Sequence, residues 1–179
     1  ENKFGVNSKT FIQLVNYCKN SKIIELKCLS VHIGSQIVDH KPYEKMLKSI
    51  TKILDKLNHK FEYIDLGGGM GITYKAVSKE LKNKKYCIAI KKFLKNHNTK
   101  IIFEPGRSII GNTGTLISKI IYIKENERKN FIILDAAMND LIRPALYGAT
   151  HNILPAEKTT KSSNKIFEFV GPICETTDK

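Results

Sequence analysis

Three short clusters in this 179-residue chain hold the residue types from which a cofactor site is built. The first is His32-Ile33-Gly34-Ser35-Gln36, the second Asp65-Leu66-Gly67-Gly68-Gly69-Met70-Gly71, and the third Glu104-Pro105-Gly106-Arg107-Ser108. They recur about every 35 residues, roughly the length of one strand–helix unit. A glycine triplet lets the backbone approach a ligand closely and can turn N–H groups toward a phosphate, or it can be a plain flexible turn. It is not a dinucleotide fingerprint, because the third glycine of G-x-G-x-x-G would fall at Ile72, and no P-loop ending follows. Taken alone, His32 reads as a hydrogen-bonded core histidine. Glu104 reads either as a strand-end carboxylate in water or as a buried one that keeps a ring nitrogen protonated.

Two later segments add further chemistry. The run Asp135 to Gly148 contains Arg143 and Tyr147, and an Arg beside a Tyr can clamp a carboxylate through paired hydrogen bonds. The alternative is a surface Arg in a loop. Only Arg107, Arg128 and Arg143 break an otherwise all-Lys basic set, so an Arg here points to a task that needs its planar fork. The run Gly171 to Asp178 sets the thiol of Cys174 beside the carboxylate of Glu175 in a turn-rich loop. A lone Cys is more often a small core residue than a reactive one.

The elements that must position these groups follow from periodicity. Ser8 is the expected N-cap of a helix burying Phe11, Leu14, Val15 and Cys18. Strand-like stretches are expected at Ile23–His32, Phe61–Leu66 and Lys100–Glu104, with amphipathic helices at about Tyr43–Asn58 and Lys84–Asn96 between them. That alternation gives βαβ units and a parallel sheet. In a (β/α) barrel all strand C-termini open on one rim, so the three clusters would converge there. Near Gly111 the rhythm changes: Thr115–Lys124 and Asn130–Asp135 read as a hairpin about the charged turn Glu125–Lys129, and the chain beyond reads as β-rich with loops. A domain boundary is expected near residues 108–114, and Lys158–Lys165 reads as a mobile loop.

Composition narrows the class. A hydrophobic content of 41% supports a core and excludes a disordered basic tail. Lys interrupts every apolar run, so no membrane span is expected, and the first residues lack the apolar stretch of a signal peptide. The chain does not start with Met and reads as an internal piece of a longer one. The net charge of +13 invites a nucleic-acid reading, but the charge is carried by dispersed Lys on solvated faces rather than by clustered Arg. The four Cys form no Cys-x-x-Cys pair and have no His at zinc-ligand spacing, so neither a disulfide framework nor a metal site is expected and a reducing cytosol fits best.

The segments HIGSQ, DLGGGMGI, EPGRS, DAAMNDLIRPALYGATH and VGPICETTD, in that order, resemble the diaminopimelate decarboxylase family. That family shares the barrel of the alanine racemase and ornithine decarboxylase group and uses pyridoxal 5'-phosphate. The resemblance runs from about Lys3 to Asp178 and implies an α/β fold: part of a (β/α)8 TIM-type barrel over residues 1–110, then part of a β-rich domain over 111–179. It implies that His32 stacks on the cofactor ring, that Glu104 faces the pyridine nitrogen, and that Ser35, Gly67, Gly68, Gly69, Gly106 and Arg107 surround the phosphate. Arg107, Arg143 and Tyr147 would hold substrate, and Glu175 would read the amine of the distal centre. Cys174 would act as general acid in a partner subunit's site, making the enzyme a cytoplasmic homodimer. The implied reaction is decarboxylation of meso-2,6-diaminopimelate to L-lysine, without metal, nucleic acid or membrane. The lysine that bonds the cofactor would precede Glu1 and a late Tyr would follow Lys179, so the piece is expected to be inactive alone. The alternatives are a related decarboxylase of ornithine, arginine or a carboxylated polyamine, or a non-catalytic homologue.

Overall fold

The computed structural model describes residues 3–74, 81–157 and 164–178. Residues 158–163, most of the segment expected as a mobile loop, lie outside the described residues. The chain divides into two compact units, Glu1–Thr73 with Lys79–Thr113, and Tyr74–Ser78 with Gly114–Lys179.

In the first unit, strands β1 (Cys28–Ser30), β2 (Tyr63–Asp65) and β3 (Lys100–Ile102) form a parallel sheet in that order. Helices α2 (Lys41–Leu54) and α3 (Asn83–Asn96) are the crossovers, and α1 (Ser8–Cys18) precedes them. The register places Leu29, Ile64 and Ile101 side by side on one face. These join Tyr43, Met46, Leu47 and Ile50 of α2 and Tyr86, Ile90 and Phe93 of α3 in a single core. The stripe on α2 falls at helical spacing with Pro42 in its first turn, where a missing N–H costs nothing. Burial of each such side chain contributes about 1.5–3 kcal/mol.

The strands are shorter than their apolar runs. Of the stretch expected as strand at Ile23–His32 only Cys28–Ser30 is paired as strand, and ahead of it the Ser21 hydroxyl accepts the N–H groups of Ile23 and Ile24. At the first helix the N-cap is Asn7, not Ser8: its carboxamide oxygen accepts the Thr10 N–H at 2.9 Å. Only Val15 of that helix is fully buried, while Phe11 and Cys18 are half-buried and Leu14 is exposed. The helix therefore presents a narrower apolar face than its sequence implies. After α2, Leu57 is still buried, although the helix has ended at Leu54.

In the second unit, β4 (Ile120–Glu125) and β5 (Asn130–Leu134) form the antiparallel hairpin, and β6 (Phe167–Val170) adds parallel to β5. Two short helices interrupt regions read as loop, α4 (Arg107–Ile110) in the first unit and α5 (Arg143–Tyr147) in the second. Both are too brief to register a 3.6-residue period. No described helix is long and apolar enough to cross a membrane.

Candidate active site

Because the three strands of the first unit are parallel, the loops after β1, β2 and β3 leave the same edge of the sheet. The glycine loop after β2 is wedged between the other two. Asp65, 8% exposed, anchors it: one carboxylate oxygen accepts the Gly67 N–H at 2.8 Å, and the other accepts the hydroxyl of Ser30 at 2.8 Å. Ser30 and Asp65 are register partners on β1 and β2, so the strands themselves bring this pair together. The Tyr43 hydroxyl, whose pKa burial raises, donates to the Gly68 carbonyl at 3.2 Å.

The loop then stitches to its neighbours. Glu104 N–H donates to the Gly67 carbonyl at 2.9 Å, and Ile37 N–H donates to the Gly69 carbonyl at 2.8 Å. Glycine is required at each step. Gly67 has φ +64° and a Cβ there would lie 2.6 Å from the Val31 carbonyl oxygen and 2.9 Å from His32 Nδ1. A Cβ on Gly68 would run into the Glu104 carbonyl oxygen, and one on Gly69 (φ +85°) into that of Gly34. The triplet is thus the condition for three loops to pack within backbone contact.

That packing sets the side chains around it. His32 is exposed, and its Nδ1 accepts the Gly68 N–H at 3.4 Å, which leaves Nε2 to carry the proton of the neutral ring. Glu104 is fixed through its main chain, and its side chain is exposed. Ser35 is exposed on the first loop, and Gly106 precedes α4 with open space where a Cβ would lie. Gly67 and Gly68 already direct their N–H groups to Asp65 and His32, so within this triplet a phosphate would have to turn to Gly69.

Arg107 is half-buried, and its guanidinium donates to Gln36 Oε1 at 2.8 Å. The Gln36 carboxamide also brackets Ile72, donating to its carbonyl at 2.6 Å and accepting its N–H at 3.3 Å. Gln36 itself sits at φ +59°, an uncommon conformation for a residue with a side chain, held by these bonds. Sequence reading assigned no role to Gln36 or Asp65. Asp65 meets Ser30 across 35 residues, and Gln36 meets Ile72 and Arg107 across 36 and 71; no local pattern encodes such contacts.

The other site residues belong to the second unit. Arg143 and Tyr147 lie one turn apart on α5, with the guanidinium carbon 5.6 Å from the centre of the exposed Tyr147 ring. Pro144 in the first turn and Gly148 at φ +60° after the last bound this helix, signals that the sequence does carry. Cys174 and Glu175 are both exposed, so Cys174 is not a core thiol. The Thr176 hydroxyl, with the N–H groups of Thr177 and Thr176, holds the Glu175 carboxyl below the usual carboxylate range.

A carboxylate, an imidazole, a hydroxyl and a guanidinium on one sheet edge beside the glycine loop fit a planar nitrogen heterocycle bearing a phosphate. Comparison with known proteins agrees. The family model described as pyridoxal-dependent decarboxylase, pyridoxal binding domain, matches residues 1–111. The chain is 42% identical over 182 residues to diaminopimelate decarboxylase of Aquifex aeolicus, covering 99% of this chain and 43% of that protein. It is 40% identical to the Zymomonas mobilis diaminopimelate decarboxylase over the same shares of each. The crystal structure of diaminopimelate decarboxylase from Helicobacter pylori complexed with L-lysine superposes with a TM-score of 0.90 at 36% identity, over 99% of this chain and 44% of that one. The chain therefore spans less than half the length of the curated relatives it matches. With a parallel α/β sheet, the glycine loop and this match over most of its length, the chain belongs to the pyridoxal-dependent decarboxylase family.

Proposed function

We propose that this chain is part of a pyridoxal-phosphate-dependent enzyme that decarboxylates meso-2,6-diaminopimelate at its D-centre, giving L-lysine and CO2 in lysine biosynthesis. The observation that carries the reading is the gathering of His32, the Gly67–Gly69 loop, Glu104 and Arg107 on one edge of a parallel sheet. The names of the relatives, and the L-lysine in one relative's structure, support the substrate and product. In this reading residues 1–110 form part of a (β/α)8 barrel, residues 111–179 part of a β-rich domain, and the cytoplasmic enzyme is a homodimer.

Pyridoxal phosphate, when bound, supplies a protonated ring that takes up the electron pair left behind as CO2 departs. His32 would face that ring, and Glu104 would hold the proton on its nitrogen. Ser35, Gly69, Gly106 and Arg107 would surround the phosphate, with Gly67 and Gly68 shaping the loop. Arg107, Arg143 and Tyr147 would bind substrate carboxylates, and Glu175 the distal ammonium. Cys174 would give its thiol proton to the carbon that lost the carboxylate, acting in the partner subunit's site. A substrate lacking the distal carboxylate would leave the Arg143 guanidinium unpaired, which is the basis of discrimination.

Arg143→Ala in the full-length enzyme tests the assignment. A hydrogen bond to a charged group is worth about 1.5–3 kcal/mol, so kcat/KM for meso-diaminopimelate should fall about ten- to a hundredfold. Arg143→Lys should recover only part of it, because an ammonium cannot pair in a fork. An unchanged kcat/KM in Arg143→Ala would remove diaminopimelate as the assigned substrate.

A further inference from the structure

Asp178 is the most buried charged residue among those described, at 4% exposure, and it lies in a unit whose described apolar side chains are none of them fully buried. One carboxylate oxygen accepts the Met138 N–H at 2.6 Å and the other accepts the Ile173 N–H at 2.8 Å. Its own backbone closes the loop that begins at Gly171: Gly171 N–H donates to the Asp178 carbonyl at 3.1 Å, and Asp178 N–H donates to the Glu175 carbonyl at 3.1 Å. Gly171 has no room for a side chain, because a Cβ there would strike the Asp178 carboxylate and lie 2.7 Å from Ala137 Cα.

Two segments 40 residues apart in sequence thus share one buried anion. One carries Cys174 and Glu175. The other is the turn from Ala137, whose carbonyl accepts the N–H groups of Asp140 and Leu141, leading directly into α5 with Arg143 and Tyr147. A buried carboxylate that satisfies N–H donors from both strands of chain fixes their separation, and removing it leaves those donors unpaired.

We propose that Asp178 is a positioning residue: it sets Cys174 and Glu175 in place and ties their loop to the turn that delivers Arg143. The inference deepens the functional reading above and rests on it. Asp178→Asn keeps the volume but puts an amide N–H₂ where one backbone N–H needs an acceptor. In full-length protein loaded with pyridoxal phosphate, this variant should lower kcat/KM for meso-diaminopimelate by about tenfold or more per bound cofactor, as misplacement of reacting groups does. Cofactor absorbance should be unchanged. With the other cysteines replaced by Ser, the iodoacetamide alkylation rate of Cys174 should shift about threefold or more, since thiol reactivity follows its local surroundings.

Unchanged alkylation and unchanged kcat/KM per bound cofactor in Asp178→Asn would overturn the proposal and leave Asp178 a purely structural residue. If that variant does not fold, Gly171→Ala, which presses on the same carboxylate without removing its charge, carries the same two measurements with the same expected shifts. Wild-type protein that fails to release CO2 from meso-diaminopimelate would sink the functional reading alone, because the alkylation arm still decides whether Asp178 positions Cys174.

Discussion

Glu175 is the residue whose ionisation the proposed recognition depends on. It must be a carboxylate to hold an ammonium, and the Thr176 hydroxyl together with the Thr177 and Thr176 N–H groups stabilises that form. The sign follows: with its pKa depressed, Glu175 stays charged from neutral pH down past the ordinary Glu value of about 4.3, and the ammonium contact is lost only below that. Thr176→Ala removes the largest contribution. The acid limb of log(1/KM) for meso-diaminopimelate should move to higher pH in that variant while the neutral plateau stays level; a limb that does not move would detach Glu175 from substrate. At this scale the sequence disclosed types but not partners. His32, Glu104, Arg143 and Cys174 stand out by chemistry and context. Asp65, Gln36 and Asp178 do not, because each acts through a bond to main chain or side chain far along the sequence.

The element that matters most is the glycine loop after β2. It is held from below by Asp65 and Tyr43 and from the sides by the loops after β1 and β3. Gly68→Ala places a methyl against the Glu104 carbonyl, so the third loop must shift along with Glu104. Overpacking of this kind costs about 1–3 kcal/mol. The expected result is a lower urea midpoint with weaker pyridoxal phosphate binding, followed by cofactor absorbance; full cofactor affinity in a destabilised protein would separate the loop's packing from its proposed role. The βαβ alternation was legible because α2 and α3 each bury a continuous stripe. Strand limits were not, since the three paired strands are only three residues each and their apolar runs continue into loops. The two short helices at Arg107 and Arg143 escaped periodicity, although Pro144 and Gly148 mark the second.

For the whole molecule, the two units carry different parts of the proposed chemistry: the first the residues assigned to the cofactor, the second those assigned to the distal end of the substrate and to the proton. If Cys174 serves the partner subunit's site, Glu104→Ala and Cys174→Ala protomers are each inactive but complementary. Co-expression in full-length form should restore about a quarter of wild-type turnover, because half the dimers then own one intact site. No recovery above either variant alone would place Cys174 in its own subunit's chemistry. Parallel CO2 release from meso-diaminopimelate, L-ornithine, L-arginine and L-lysine by the full-length enzyme with pyridoxal phosphate tests the proposed reaction. Release from meso-diaminopimelate alone is the predicted result. Release from ornithine or arginine instead would contradict the substrate, and release from none of the four by protein that binds the cofactor would contradict decarboxylation altogether.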